Sequence, residues 1–171
     1  QARGDYSGRV TVPVLWDRER ATIVNNESAE IIRMFNSEFA SLAPETPDYC
    51  PDELLGEIDE VNERVYNDIN NGVYRNGFAS TQQAYDEAFD QLFAALDWVE
   101  ERLRTRRYLC GAQLSEADWR LFPTLLRFDP VYFGHFKCNL RRIGTYPCLS
   151  NYLRELYQIP GIAELCNFRH I

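Results

Sequence analysis

The spacing of apolar residues changes character once along this chain. Val10-Thr11-Val12-Pro13-Val14-Leu15 and Ala21-Thr22-Ile23-Val24 are short β-branched runs on either side of the charged Asp17-Arg18-Glu19-Arg20, the pattern of two strands joined by a hairpin turn. Asn26-Glu27-Ser28 then leads into Ile31, Ile32, Phe35 and Phe39, spaced for a helix with one apolar face. After a proline-containing loop at 44–51 only helical spacing remains. Leu54, Leu55, Ile58, Val61, Val65 and Ile69 form one stripe, which the Asn70-Asn71-Gly72 break is expected to end. Ser80 with Gln83 is expected to cap the next helix, with its stripe from Tyr85 through Leu92 and Leu96 to Leu103. Ser115 and Asp118 have capping-box spacing, and Leu121, Phe122, Leu125, Leu126 and Phe128 after them leave almost no polar side, the mark of a helix wrapped by others. Leu149, Tyr152, Leu153 and Leu156 mark a fourth helix before Pro160-Gly161, and a short turn from Ile162 to Cys166 follows.

This predicts strand-strand-helix followed by an all-helical region, with a domain boundary near Pro44. Three elements are too few for a sheet domain, and the first strand lies close to Gln1, so further strands are expected upstream. A chain of 171 residues that is 45% hydrophobic can bury a core. Its net charge of −8 argues against nucleic acid as a partner, since a phosphate backbone demands a basic surface. No apolar run reaches membrane-spanning length, and Gln1 to Tyr6 lack a signal-peptide core, so the expected setting is soluble and intracellular, in the cytoplasm or in an organelle such as chloroplast or mitochondrion.

Candidate chemistry is sparse by residue type alone. Cys50, Cys110, Cys138, Cys148 and Cys166 lack metal-site spacing and a disulfide framework, so reduced, half-buried thiols are expected and no metal. Cys50-Pro51 reads as a helix start rather than a redox motif. The arginines Arg102, Arg104, Arg106 and Arg107 suit a helix C-terminus, and His135 and His170 have no partners at ligand spacing.

Several runs resemble the glutathione transferases and, within them, the xi class of glutathionyl-hydroquinone reductases. These are Thr11-Val12-Pro13-Val14-Leu15-Trp16-Asp17, Ile23-Val24-Asn25-Asn26-Glu27-Ser28, Asn70-Asn71-Gly72-Val73-Tyr74-Arg75, and Arg127 to Tyr132 running on to His135-Phe136-Lys137-Cys138-Asn139. The resemblance implies the C-terminal part of a thioredoxin-like glutathione-binding domain at 1–43 and a glutathione transferase helical domain at 44–171. It implies glutathione as co-substrate and removal of glutathione from glutathionyl-hydroquinones, giving hydroquinone and glutathione disulfide. Val12 and Pro13, with a cis peptide bond, would present backbone groups to the cysteinyl unit of glutathione, and Glu27 and Ser28 would take its γ-glutamyl end at a helix start. Taken without the resemblance, Ser28 is an ordinary N-cap and Pro13 an edge-strand proline. Tyr74 would be the catalytic tyrosine, hydrogen-bonding a hydroquinone hydroxyl, with Tyr66 a substrate-binding candidate and Tyr132 behind it. The implied partners are quinone conjugates and either a homodimer, to which Lys137, Arg141 and Arg142 would contribute, or a larger assembly. The family's nucleophile lies in a Cys-Pro-Trp-type motif with no counterpart in these residues, and its C-terminal extension with another substrate tyrosine is also lacking. The chain is accordingly expected to be the later part of a longer enzyme, with a catalytically inactive structural subunit as the alternative.

Overall fold

A computed structural model describes Ser7 and residues 11–171. The chain divides after Cys50 into two units.

The first unit contains β1 (Leu15–Asp17) and β2 (Thr22–Asn25), paired antiparallel with Trp16 opposite Ile23 and Asp17 opposite Thr22, followed by α1 (Ser28–Ser37). The hairpin was expected, but β1 starts later than the run Val10–Leu15 suggests; Val10 lies outside the described residues. Pro13 has no N–H to give a ladder and follows a cis peptide bond, so pairing begins only at Leu15. Asp17 closes the turn by accepting from the backbone N–H groups of Glu19 and Arg20, both at 2.9 Å. The loop after α1 is tied back to it: Asn36 donates to Asp48 at 2.7 Å, and the Tyr49 N–H donates to Asn36 at 2.9 Å. These bonds hold residues through Tyr49 with the first unit.

The second unit is helical. A short 3₁₀ turn behind Pro51 leads into α2 (Leu55–Arg64). The Asn70-Asn71-Gly72 stretch, expected to end this helix, does not. A π turn at Val65–Asn70 carries the chain straight into α3 (Gly72–Gly77), the Asn71 N–H reaching back to the Tyr66 carbonyl at 2.9 Å. The widened turn is pinned from outside, because Asn70 donates to the Arg120 carbonyl at 3.1 Å and accepts from Thr124 at 2.8 Å. Gly72 brings α3 close to α4, where an added Cβ would meet Leu92 at 3.5 Å.

α4 (Gln82–Leu103) is capped by Thr81, not Ser80: the Thr81 hydroxyl accepts from the Ala84 N–H at 3.1 Å. Thr81 has the extended backbone that a cap requires, with φ −131° and ψ 156°. α5 (Glu116–Arg127) begins with the expected capping box and passes into a second π turn at Phe128–Tyr132. α6 (Pro147–Tyr157) and α7 (Ile162–Leu165) complete the unit. Ile58, Leu92, Leu96, Leu121, Leu125 and Leu149 are wholly buried and bring the four predicted stripes into one core.

Two buried carboxylates fix how these helices meet. Asp118, fully buried, accepts from the Leu109 N–H at 2.9 Å and the Tyr152 hydroxyl at 2.7 Å as well as from Ser115. It joins the cap of α5 to the preceding loop and to α6. Burial pushes its acid up against these four donated bonds. Glu100 on α4 accepts from the Cys148 and Leu149 N–H groups at 2.9 and 2.8 Å, satisfying the open start of α6. The arginines after α4 do more than suit a helix end. Arg102 and Arg106 both pair with Glu57 on α2, and Arg107 pairs with Glu155 on α6 at 2.8 Å. Among the described residues, no helix is long and apolar enough to cross a membrane.

Candidate functional site

The first unit gathers four of the predicted residues around the start of α1. Glu27 is the N-cap: its carbonyl accepts from Glu30 and Ile31, and its N–H donates to the Asn25 side chain at 2.7 Å. Ser28 is therefore the first helical residue rather than the cap, and its exposed hydroxyl lies in the turn whose N–H groups favour an anion. Asn26 donates to the Thr11 hydroxyl at 3.2 Å, which brings the segment before β1 to this helix start. Val12 is 89% exposed, outside both strands, and joined to Pro13 by the cis peptide bond.

The second unit holds an aromatic cluster. Tyr74 stands on α3, which continues from the π turn without the helix break expected before it, and remains 45% exposed. Its hydroxyl is 3.3 Å from that of Tyr132, in the π turn after α5, and its ring meets Phe136 at 5.5 Å and Phe78 at 6.4 Å. Phe136 in turn contacts Tyr132 at 5.4 Å. Phe78 is 74% exposed, so one side of the cluster is open. Tyr66 lies in the first π turn, half exposed, and among the described residues makes no ring or hydrogen-bond contact with the cluster. Sequence reading ranked Tyr132 low and missed Phe78 and Phe136; the tight Gly77 to Phe136 approach that assembles them joins residues far apart in the chain.

The loop that carries Phe136 is clamped. Asn76 donates to the Phe136 carbonyl at 2.7 Å, Tyr85 donates to the Lys137 carbonyl at 2.8 Å, and Lys137 itself has left-handed backbone with φ 57°. Two of the three basic residues expected to serve a dimer are engaged within the unit: Arg141 pairs with Asp97 at 2.7 Å, and the Arg142 guanidinium lies 3.9 Å from the Phe133 ring centre. The His135 ring lies tilted against Phe136 at 5.3 Å, and His170 lines a groove of about 460 Å³ with Trp119, Phe122 and Arg127. No grouping of His, Cys, Asp or Glu suited to a metal occurs among the described residues.

Two of the thiols, Cys110 and Cys138, are buried. Burial pushes Cys110 up to about 11 and Cys138 up to about 12, and burial followed by the Glu100 carboxylate raises Cys148.

A β-hairpin and helix followed by a helical unit with a buried capping-box aspartate is the later part of a glutathione transferase fold, and residues 82–155 match the family described as glutathione S-transferase, C-terminal domain. Glutathionyl-hydroquinone reductase YqjG of Escherichia coli is 57% identical over 166 residues, covering 97% of this chain and 51% of that protein. The glutathione-bound structure of that same protein superposes with a TM-score of 0.96 at 56% identity, covering 99% of this chain and 55% of the other. The xi glutathione transferase of Phanerochaete chrysosporium gives 0.93 at 56% identity, covering 98% and 58%. The chain belongs to the xi class of the glutathione transferases. It spans about half the length of the curated relatives it matches.

Proposed function

We propose that the chain supplies glutathione-binding and substrate-orienting surfaces of a glutathione-dependent reductase acting on glutathionyl-hydroquinones. The observation that carries this reading is the pair of features a glutathionyl-hydroquinone needs: a helix start bearing Glu27 and Ser28 for the peptide, and an aromatic cluster with an exposed phenol, Tyr74, for the ring. At the helix start, Ser28 and the free N–H groups receive the γ-glutamyl carboxylate, and Glu27 accepts from its ammonium. Val12 offers backbone groups to the cysteinyl unit. Tyr74 hydrogen-bonds a ring oxygen of the hydroquinone.

The reaction requires a thiolate to attack the glutathionyl sulfur. The carbon–sulfur electron pair passes to the ring carbon, which takes a proton, leaving hydroquinone and a mixed disulfide; a second glutathione thiolate then releases glutathione disulfide. Cys110 and Cys138 are buried and held protonated, which unsuits them to that attack, and the part proposed here for the chain is to bind and orient.

The test is turnover of a glutathionyl-hydroquinone by the protein in its full natural length, with glutathione affinity measured separately by calorimetry. Ser28→Ala should weaken glutathione binding by roughly 1.5–3 kcal/mol, the worth of a charge-assisted hydrogen bond. Tyr74→Phe should slow turnover and leave glutathione affinity unchanged. Equal losses in both quantities would assign Tyr74 to packing, and no turnover by the unaltered protein would remove the reductase reading.

A further inference from the structure

The hairpin of the first unit sends two segments to the same place. Because β1 and β2 run antiparallel, with Leu15 opposite Asn25, the chain entering β1 and the chain leaving β2 lie at one end of the ladder. Thr11 and Val12 arrive there, and Asn26, Glu27 and Ser28 leave it for α1. The leaving segment is firmly tied. Asn25 accepts from the Glu27 N–H at 2.7 Å and donates to Glu30, and the Glu27 carbonyl accepts from Glu30 and Ile31 at 3.1 and 3.0 Å. The arriving segment has no such support. Residues 11–14 stand outside the ladder, and the hydrogen bond shown for them among the described residues is the one that the Asn26 amide donates to the Thr11 hydroxyl at 3.2 Å.

That bond joins the neighbours of two surfaces. Thr11 directly precedes Val12, whose backbone is offered to the cysteinyl unit, and Asn26 directly precedes Glu27 and Ser28, which receive the γ-glutamyl end. A peptide that engages both surfaces binds more tightly when their separation is already set, since ordering a loop on binding subtracts from affinity. Thr11 and Asn26 are both exposed, so burial of apolar surface does not hold these side chains together.

We propose that Asn26 is a positioning residue: through Thr11 it ties the Val12 segment to the start of α1, and so sets the spacing of the two surfaces that take the cysteinyl and γ-glutamyl units of glutathione. The inference rests on the placement of glutathione under the proposed function, and it assigns affinity to a pair of side chains that need not touch the peptide. What matters in Thr11 is then its hydroxyl as an acceptor. Thr11→Val keeps the branched shape and loses the acceptor, whereas Thr11→Ser keeps the acceptor and loses a methyl group.

Calorimetric titration of the protein in its full natural length with glutathione tests this, with Ser28→Ala marking the γ-glutamyl seat. Thr11→Val and Asn26→Ala are each expected to weaken glutathione about 2- to 10-fold, the range that one hydrogen bond spans. The double variant should be no weaker than the weaker single variant, because both remove the same bond. Thr11→Ser should bind as wild type does, and Tm should not move in any of these, since the side chains are exposed. A loss of affinity in Asn26→Ala that Thr11→Val does not share shows Asn26 touching the peptide itself and overturns the tie. Additive losses in the double variant, a Thr11→Ser as weak as Thr11→Val, or losses of affinity that follow losses of Tm overturn it equally. If Ser28→Ala weakens glutathione while Thr11→Val and Asn26→Ala do not, the positioning role falls and the proposed site stands. If the wild type binds no glutathione, or Ser28→Ala binds it as tightly, the placement of the peptide falls and this inference with it.

Discussion

Replacing Gly77 by alanine should destabilise the second unit, although alanine is ordinarily the better helix residue. Gly77 is the last residue of α3, and a Cβ added there would lie 2.4 Å from Phe136 Cγ and 2.8 Å from both its Cβ and Cδ1. Carbon atoms rest at about 3.5–4.0 Å, so the overlap exceeds about 1 Å and falls on the root of the ring, not its tip. The ring has little room to turn away, since Tyr74, Phe78 and Tyr132 surround it with centroids 5.5, 5.3 and 5.4 Å distant. Its backbone is held by Asn76 at 2.7 Å, and the next residue's carbonyl by Tyr85 at 2.8 Å. Overpacking of this kind costs about 1–3 kcal/mol, offset by up to about 1 kcal/mol of helix propensity. A net loss of about 1–2 kcal/mol corresponds to a Tm lowered by about 2–8 °C. Gly56 in α2 provides the control, because a Cβ there would meet nothing within 4 Å. Gly56→Ala should raise Tm by a few degrees or leave it unchanged. Thermal unfolding by far-ultraviolet circular dichroism measures both, and the near-ultraviolet signal reports the aromatic cluster. An unchanged or raised Tm for Gly77→Ala, with an unaltered near-ultraviolet spectrum, would show that Phe136 is not wedged against α3.

Three further outcomes are expected. Asp118→Ala should cost about 2–5 kcal/mol in denaturant unfolding, since it strands the buried Leu109 N–H and Tyr152 hydroxyl; a loss below about 1 kcal/mol would contradict the joint described for them. Arg106 foremost, assisted by Arg102, holds the Glu57 acid below its ordinary value of 4.5 despite partial burial, so its contribution to stability is present above that value and lost as pH falls through the lowered one. The stability difference between wild type and Glu57→Gln should therefore shrink as pH falls below about 4.5, and a difference independent of pH would refute the pairing. With the thiols of Cys110 and Cys138 pushed up to about 11 and 12, both should resist Ellman's reagent at pH 8 in the native protein and react after denaturation; rapid native labelling of either would contradict their burial.

The parts of the fold legible in sequence are those set by local chemistry. The stripes of α2, α4, α5 and α6 obey the helical period, and the Ser115–Asp118 box is a pairing of near neighbours. What escaped depends on distant partners. Asn70-Asn71-Gly72 looks like a helix stop until Arg120 and Thr124 are there to hold Asn70, and the glycine is needed for the close approach to Leu92. The Arg102 and Arg106 pairing with Glu57 likewise crosses between helices. At the start of α1 the sequence offered Ser28 as an ordinary cap, yet the N-cap is Glu27. The approach of the Tyr74 and Tyr132 hydroxyls was not legible, because nothing in the spacing of the two residues announces that α3 and the turn after α5 meet.

The π turns at Val65–Asn70 and Phe128–Tyr132 also bear on how this chain can gain or lose residues. Each holds more chain per turn than an α-helix without turning the flanking segments off their faces. Deleting one residue inside such a turn lets the backbone close to regular α spacing, leaving Val73 and Tyr74 directed as before. The same deletion within α2 or α3 proper would rotate everything downstream by about 100°, the angle subtended by one residue. Loss of a residue at 65–70 or 128–132 would thus be a local repair, whereas a gap a turn away on either side would re-aim the aromatic cluster.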